Sequence, residues 1–191
     1  MPGCNQTLSG LARDCAKNKG GILELLITYY DAIKSVTLEN GKVKSIEFAD
    51  ELAPEYFKSY KLRKGMGSLS KSLQVTDGGN NYVACTIAVN FPRMDTTKRT
   101  EVAALAVNQC MCIVKDANGI YWLVGYSEPV TATGGDSGTG TAVGDTNQYG
   151  LNLGCNEDEY PYEVPAALIP GLLGEEEEPE EPAEPAEPAE E

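Results

Sequence analysis

The sequence lacks histidine altogether over its 191 residues. This absence excludes the Ser-His-Asp arrangement, Cys-His proteases, histidine zinc sites and the commonest general base. Gly135-Asp136-Ser137-Gly138 matches the tetrapeptide around the nucleophile of chymotrypsin-like proteases. Ser137 nevertheless has no imidazole to accept its proton, so its hydroxyl stays inert. We interpret the tetrapeptide as a loop of small residues and predict that the protein is not an enzyme.

Long apolar runs are also missing. No stretch approaches the roughly 18 residues that span a membrane, and the first residues lack the apolar core of a secretory signal. The sequence therefore predicts no membrane span and six reduced cysteines in a cytosolic product, with a Cys4–Cys15 disulfide as an open alternative. Cys110-Met111-Cys112 is not spaced like zinc ligands. On a strand, its two thiols would share one buried face.

Cations are absent from residues 175–191, which contain ten glutamates with only proline and alanine. Removing those ten from the 29 acidic residues leaves 19 against 15 cations, so the excess charge belongs to the tail. This composition predicts a disordered acidic tail. It is interpreted as a solubilising extension, as a docking peptide for a basic partner, or as a bristle that limits where subunits stack. The acidic balance argues against nucleic-acid binding through phosphate contacts.

Alternating apolar residues dominate the chain and predict strands. A first strand is expected over residues 22–30, followed by a hairpin turned at Asn40-Gly41. Residues 56–91 are expected to form a long pair of strands, with a bulge or bend where the alternation changes phase near Gly65–Gly67. One helix is predicted, beginning at Asp95 or Thr96. Its buried face should include Val102, Leu105 and Ala106.

The second half predicts a hairpin over residues 110–128 turned at Asp116 to Gly119, a mobile glycine-rich loop over 131–147 and a terminal strand over 149–165. The fold class is therefore mostly β: an antiparallel β-sandwich or partly closed barrel with one flanking α-helix, plus the disordered acidic C-terminal tail. We expect three parts in the chain. They are an N-terminal arm over residues 1–20, the β domain over 21–172 and the tail over 173–191.

Other motifs carry little chemistry. Residues 68–71 match S-x-x-K but lack the partner motifs of penicillin-binding enzymes. Residues 145–150 begin like a calcium loop, yet the twelfth position is Asn156, where a bidentate glutamate belongs. Turn chemistry explains Asp145 and Asn147 without a metal, so we predict no metal and no cofactor and keep these two residues only as a calcium alternative. The acidic run 157–159 is interpreted as solvated surface.

The second half resembles tail and virion structural proteins of Bacteroidetes phages and prophages, and through them the tail-tube family. The resemblance follows a D-x-N-G-x-Y-x-L-x-G hairpin, a T-G-x-A-x-G-D-x-N-x-Y segment and a P-Y-x-V ending. The matching residues are Asp116, Asn118, Gly119, Tyr121, Leu123, Gly125, Thr139, Gly140, Ala142, Gly144, Asp145, Asn147, Tyr149, Pro161, Tyr162 and Val164. The resemblance implies a small β-sandwich or barrel with one flanking helix that assembles into stacked rings around a DNA channel, and it implies no catalytic residues.

We accordingly expect a virion structural protein, made in the cytoplasm of a bacterial host. Six copies would close a ring, and the rings would stack with other virion proteins into a tail tube or connector through which DNA passes without specific binding. The long hairpin 56–91 would pair with the next subunit, and the loop 131–147 would order against the next ring. The candidate assembly residues are Tyr56, Tyr60, Tyr82, Gly134, Asp145 and Tyr149.

A second hypothesis is a β-sandwich that decorates a capsid or cell surface and binds carbohydrate or protein. Tyr121, Trp122 and Tyr126 would then form a stacking platform for a ligand. The alternative for these three aromatic residues is ordinary packing within the hairpin.

Overall fold

The computed structural model describes residues 10–13 and 15–174. Cys4, and with it the possible Cys4–Cys15 disulfide, lies outside the described residues, as does the acidic segment 175–191. The protein is mostly β, with 47% of residues in strands and 14% in helices, and its two sheets are not closed. The predicted mostly β fold is therefore confirmed. Of its two forms, the sandwich is the one present, because neither sheet closes into a barrel.

Twelve strands in the described part of the chain form the two sheets. They are β1 (Ile22–Tyr29), β2 (Ile33–Glu39), β3 (Lys42–Phe48), β4 (Lys58–Lys61), β5 (Gly67–Val75), β6 (Asn81–Pro92), β7 (Cys110–Asp116), β8 (Tyr121–Val124), β9 (Thr131–Gly134), β10 (Ser137–Gly138), β11 (Gln148–Glu157) and β12 (Glu163–Val164). The larger sheet has the order β2-β3-β12-β8-β7-β1-β4, and only its β12–β3 pair is parallel. The smaller sheet has the order β10-β11-β6-β5, with β9 also paired to β11.

Both predicted hairpin turns are present. Asn40 and Gly41 have φ values of 53° and 75°, the positive angles that a tight primed turn between β2 and β3 requires. The turn between β7 and β8 is held by Asp116, whose Oδ1 accepts hydrogen bonds from the N–H groups of Asn118 (2.8 Å) and Ile120 (3.0 Å). The local sequence chemistry therefore fixes these two reversals.

The prediction that residues 56–91 form one long strand pair is wrong. Strand β4 pairs with β1 in the larger sheet, whereas β5 pairs with β6 in the smaller one. The change of phase near Gly65–Gly67 marks the point where the chain crosses between sheets, and no bulge lies there. A Cβ atom on Gly67 would lie 2.7 Å from Cγ1 of Ile22, so the corner is too tight for a side chain.

Strand β5 runs across the larger sheet. Its first residue, Gly67, contacts Ile22 of β1. Lys71, in its middle, lies over Trp122 of β8, and Leu73 faces the same groove as Lys42 of β3. The two sheets therefore pack with crossed strands, an arrangement in which corners such as residues 62–66 carry a chain from one sheet to the other.

Two apolar cores lie on opposite sides of the larger sheet. Alternate residues of β7 supply both: Cys110 and Cys112 enter the core between the sheets, while Met111 and Ile113 enter the outer core. The outer core is covered by the β2–β3 hairpin, Phe57 and the C-terminal residues Ile169 and Leu172. The predicted burial of both thiols on one face is confirmed.

Two further cysteines meet in the smaller sheet. Cys85 of β6 lies directly opposite Cys155 of β11, and the Cys155 thiol donates to Glu157 Oε1 (3.7 Å). The interaction between the two neighbouring thiols lowers the pKa of Cys85, and together with burial it raises the pKa of Cys155. Both residues are free thiols.

The predicted helix, α1 (Thr96–Val107), is present, and a second, α2 (Ile169–Leu173), corrects the expectation of a single helix. Leu105 of α1 is buried, but Ala106 is exposed, so the buried face is narrower than predicted. Helix α2 was missed because its five residues include a proline and a glycine, and burial against the outer core stabilises it. No helix in the described range is long and apolar enough to cross a membrane.

The segment 131–147 is only partly a loop. Strands β9 and β10 both pair with β11, so the prediction of an unstructured stretch here is wrong. Its glycines allow this close pairing, because Gly135 and Gly150 lie against opposing backbone atoms where a Cβ would clash.

We expect loss of the α1 cap to be measurable. Asp95 accepts hydrogen bonds from the Lys98 N–H (2.8 Å) and Nζ (2.7 Å), and this partner holds the pKa of the carboxyl below its usual 3.8. Asp95→Ala should lower the thermal midpoint at pH 7 by about 2–4 °C. Because the folded pKa is depressed, the contribution is present above pH 3.8 and is lost as the pH falls through the folded pKa. Thermal unfolding at pH 7 and pH 3 measures this.

Asp95→Asn provides the control, because an amide oxygen still caps the helix. At pH 7 the thermal midpoint of Asp95→Asn should be close to that of the wild-type protein. If Asp95→Ala lowers the thermal midpoint equally at pH 7 and pH 3, the assignment of the charged Asp95 side chain as the cap of α1 is contradicted.

Candidate assembly surface

Two long strands lie at open edges of the sheets. Strand β5 ends the smaller sheet and pairs only with β6, which leaves one side of its nine residues without a strand partner. Strand β2 ends the larger sheet in the same way. An unpaired edge offers a row of N–H and C=O groups to another strand. Strand β5 contains no proline, so no donor is missing along that row.

The last part of β5 overhangs the core. Leu73 and Val75 point to the same side as the partly buried Leu69, yet their exposed fractions are 51% and 71%. Leu73 lines a groove of about 590 Å³ whose apolar walls include Trp122 and Tyr160. In the single chain, this apolar end of the β5–β6 hairpin is uncovered.

Lys71 is the inward-pointing cation of the edge strand. Its Nζ lies 3.7 Å from the centre of the Trp122 ring, a cation–π contact. The Trp122 Nε1 donates a hydrogen bond to Asp116 Oδ2 (3.1 Å), which fixes the ring. Burial lowers the pKa of Lys71. Inward charges are typical of natural edge strands because they limit unspecific pairing.

Glu157 fixes one wall of the groove. This carboxylate is only 3% exposed and accepts hydrogen bonds from the backbone N–H groups of Gly125 (2.6 Å), Tyr126 (3.0 Å) and Ser127 (2.8 Å). Three backbone N–H groups thus stabilise the buried carboxylate of Glu157. The contact ties the end of β11 to the segment after β8, and it therefore positions residues 158–162, which line the groove.

Opposite charges occupy the two ends of β5. The basic corner, defined as Lys58, Lys61, Arg63 and Lys64, precedes the strand, and all four side chains are exposed. The acidic end, defined as Asp158, Glu159 and Glu163, lies by the groove at the other end. There, Glu163 forms an ion pair with Lys42 (2.8 Å), while Asp158 and Glu159 stay exposed. Between Glu55 and Asp77 the sequence contains five cations and no acid.

The six predicted assembly residues do not form one surface. Tyr60 is half-buried beside Phe91, and its hydroxyl donates to Glu101 of α1 (2.9 Å). Burial, aided by that carboxylate, raises the pKa of Tyr60. Tyr149 lies opposite Phe91 in the register of the smaller sheet, so Tyr60 and Tyr149 are both neighbours of Phe91. Tyr56 packs edge-on against Phe48.

The other three predicted residues lie apart. Tyr82 is opposite Gln74 on the β5–β6 hairpin, and Gly134 pairs with Asn152 at the end of β9. Asp145 stabilises a turn, since its Oδ2 accepts hydrogen bonds from the N–H groups of Thr141 and Ala142, both at 2.7 Å. These hydrogen bonds lower the pKa of Asp145.

The calcium alternative has another use for its side chains. Asn147 Oδ1 accepts a hydrogen bond from the Met94 N–H (3.0 Å), so it joins its loop to the start of α1, and Asp145 is occupied by its own turn. Across residues 10–13 and 15–174, no three acidic or cysteine side chains are placed to hold a metal ion. Turn stabilisation accounts for both residues.

The predicted aromatic platform does not form. Tyr121 and Trp122 are consecutive on β8 and therefore face opposite sides of the sheet. Tyr121 enters the outer core, whereas Trp122 lies under Lys71. Tyr126 packs edge-on against Tyr162, with ring centres 5.5 Å apart.

Sequence reasoning missed Glu157, which it placed on solvated surface. A signal was present: Leu151, Leu153 and Cys155 alternate along β11, and Glu157 continues the same face. The exposed Leu73 and Val75 could not be found in this way, because alternation indicates a face and not what covers it.

No protein-family model matches the sequence, and neither a curated protein nor a solved structure matches the chain. The surfaces described above and the motif residues between Asp116 and Val164 are therefore the features that bear on function.

Replacing Glu157 should destabilise the fold and loosen the groove. Glu157→Gln puts an amide NH₂ group against backbone donors, so we expect a loss of about 3 kcal/mol in the free energy of unfolding. Urea denaturation measures this loss. Glu159→Gln is the matched control, because Glu159 is exposed and accepts only from the Tyr162 hydroxyl. Equal stability losses in the two variants would contradict the role of Glu157.

Proposed function

We propose that this protein is a non-catalytic virion structural protein that assembles into rings of six copies. The rings stack into a phage tail tube or connector through which DNA passes. Subunits are made in the cytoplasm of the bacterial host and function in the virion with other virion proteins. The resemblance of residues 110–165 to phage tail proteins supports this role, and so does an open sheet edge with opposite charges at its ends.

The observation that carries the proposal is the asymmetry of β5. A ring needs heterologous contacts, in which two different surfaces of each copy meet. The basic corner precedes β5 and the acidic end lies beyond it, so one copy offers both partners of such a contact. Nine residues at about 3.3 Å each separate the two surfaces by roughly 30 Å. Charge complementarity of this kind favours one orientation of neighbouring copies.

The exposed end of the β5–β6 hairpin gives that contact an apolar centre. Leu73 and Val75 are more than half exposed, and Leu73 lines the groove. A neighbouring copy that covers them removes apolar surface from water, while the charged corner and end form a polar rim. Rim charges select the partner, and the apolar centre supplies the greater part of the affinity.

DNA passage fits the same arrangement. Outside residues 175–191 the chain carries 19 acidic and 15 basic residues, and four of those cations belong to the basic corner. A neighbour that occupies the corner withdraws these cations from the channel. The remaining wall then repels phosphates weakly and offers no clustered cations for DNA to bind.

The purified chain should sediment as a multiple of 20.4 kDa and form rings or tubes in negative-stain micrographs. Leu73→Lys with Val75→Lys should shift the protein to the monomer, because two charged lysines then replace the apolar centre of the contact. The matched control, Leu52→Lys with Val107→Lys, adds the same charge at sites that are 99% and 81% exposed. Sedimentation velocity compares the two. A monomeric wild-type chain at high concentration would overturn the proposal.

Charge reversal tests the orientation. Variant one carries Lys61→Glu, Arg63→Glu and Lys64→Glu, and variant two carries Asp158→Lys and Glu159→Lys. Each variant should fail to assemble alone, because its two contact surfaces have like charges. Mixed in equal amounts they should form alternating rings, since every contact then joins opposite charges. Assembly of each variant alone, or failure of the mixture, would exclude the corner-to-end contact.

A further inference from the structure

The basic corner has an excess of positive charge. No ion pair between described residues involves Lys58, Lys61, Arg63 or Lys64. The nearest acids are Glu24, Glu55 and Glu101; Glu24 already accepts a hydrogen bond from Ser59 Oγ, and Glu101 accepts one from the Tyr60 hydroxyl. Four exposed cations thus face three carboxylates. In a chain with a formal charge of −14, such a patch calls for an acidic occupant.

The chain leaves the fold beside this corner. The N–H of Phe57, one residue before β4, donates a hydrogen bond to the carbonyl of Leu172 in α2 (3.0 Å). Gly174 lies against the ring of Tyr56, and its φ of 73° ends the helix there. Buried Ile169 and Leu172 anchor this exit. Residue 175 therefore begins next to the strand that leads into the basic corner.

The acidic segment is long enough and has no competing partner within itself. Residues 175–191 number 17, which corresponds to roughly 50 Å at about 3.1 Å per residue in an extended proline-rich chain. The path from Tyr56 to Lys64 is about 25 Å at 3.3 Å per residue. The segment contains ten glutamates and no cation, so any ion pair it forms within the protein must be with a cation outside the segment.

We propose that residues 175–191 bind the basic corner of their own chain and cover it until a neighbouring subunit displaces them. The first part concerns binding alone. The second part rests on the assembly role proposed above and makes the segment a competitor for the same contact. Tethering raises the local concentration of the glutamates near the corner to about the millimolar range, and a neighbour that buries apolar surface as well overcomes it.

Zero-length carbodiimide cross-linking of the full chain, at protein concentrations below those at which it assembles, tests the binding. The reagent joins carboxylates to lysine amines that are in contact, and mass spectrometry locates the products. Tail glutamates should link mainly to Lys58, Lys61 and Lys64, within one chain when isotope-labelled and unlabelled protein are mixed. The yield should fall about tenfold in 1 M NaCl, where the screening length is only about 3 Å. Links spread over all exposed lysines, or only between chains, would overturn the proposal.

Matched variants sharpen the result. Lys61→Gln, Arg63→Gln and Lys64→Gln together should lower the tail links that remain at Lys58. The control set, Lys17→Gln, Lys19→Gln and Arg99→Gln, removes the same charge from exposed sites elsewhere and should leave Lys58 unchanged. An equal fall in both sets would show that net charge alone controls the links, and would contradict docking at the corner.

A second arm separates docking from assembly and from nucleic-acid binding. Replacing all ten tail glutamates by glutamine should lower the protein concentration needed for assembly about tenfold if the tail competes with a neighbour. If the assembly concentration is unchanged while the cross-links persist, the tail docks but does not compete with a neighbour. If neither the wild-type nor the substituted chain assembles, the assembly role is excluded and docking is not. Fluorescence anisotropy with labelled duplex DNA should detect no binding by the wild-type chain; tight binding would assign the corner to DNA and overturn the proposal.

Discussion

The structure depends on strand β7 being buried on both faces. Its alternate side chains enter two separate cores, so the larger sheet must be covered on both sides. The smaller sheet covers one side by crossing over it, and the β2–β3 hairpin with α2 covers the other. Because α2 has to return to the outer face, the chain leaves the fold next to β4. The place where residue 174 leaves the fold, beside β4, thus follows from one apolar strand.

The features that the sequence predicted correctly are those set by local chemistry. Asn40-Gly41 adopts the positive φ angles of its turn, Asp116 hydrogen-bonds the turn that follows it, and Asp95 caps α1. The crossing between sheets at residues 62–66 could not be predicted, because alternation shows which residues share a face and not which strand lies beside them. Helix α2 likewise exists through tertiary contacts, which override the low helix propensity of its proline and glycine.

The candidate assembly surface was predictable only in part. The aromatic candidates Tyr60 and Tyr149 are partly buried, Tyr60 beside Phe91 and Tyr149 opposite it in register. The more exposed apolar residues Leu73 and Val75 were not found, because their exposure depends on where the opposite sheet ends. Charge polarity along β5 also depends on topology, since residues 58–64 and 158–163 are distant in sequence and become the two ends of one strand only in the fold.

The cysteine pair in the smaller sheet has a consequence for the covalent chemistry of the fold. The Asn90 N–H bonds to Met66 of β5, so the odd-numbered residues of β6 direct their backbone groups toward β11, and Cys85 and Cys155 form a backbone hydrogen-bonded pair. Cβ atoms of directly opposite residues lie about 4.5–5.5 Å apart and are farther apart in hydrogen-bonded pairs, whereas a disulfide brings them to about 3.8 Å. The sheet would have to shift locally before these two free thiols could be joined.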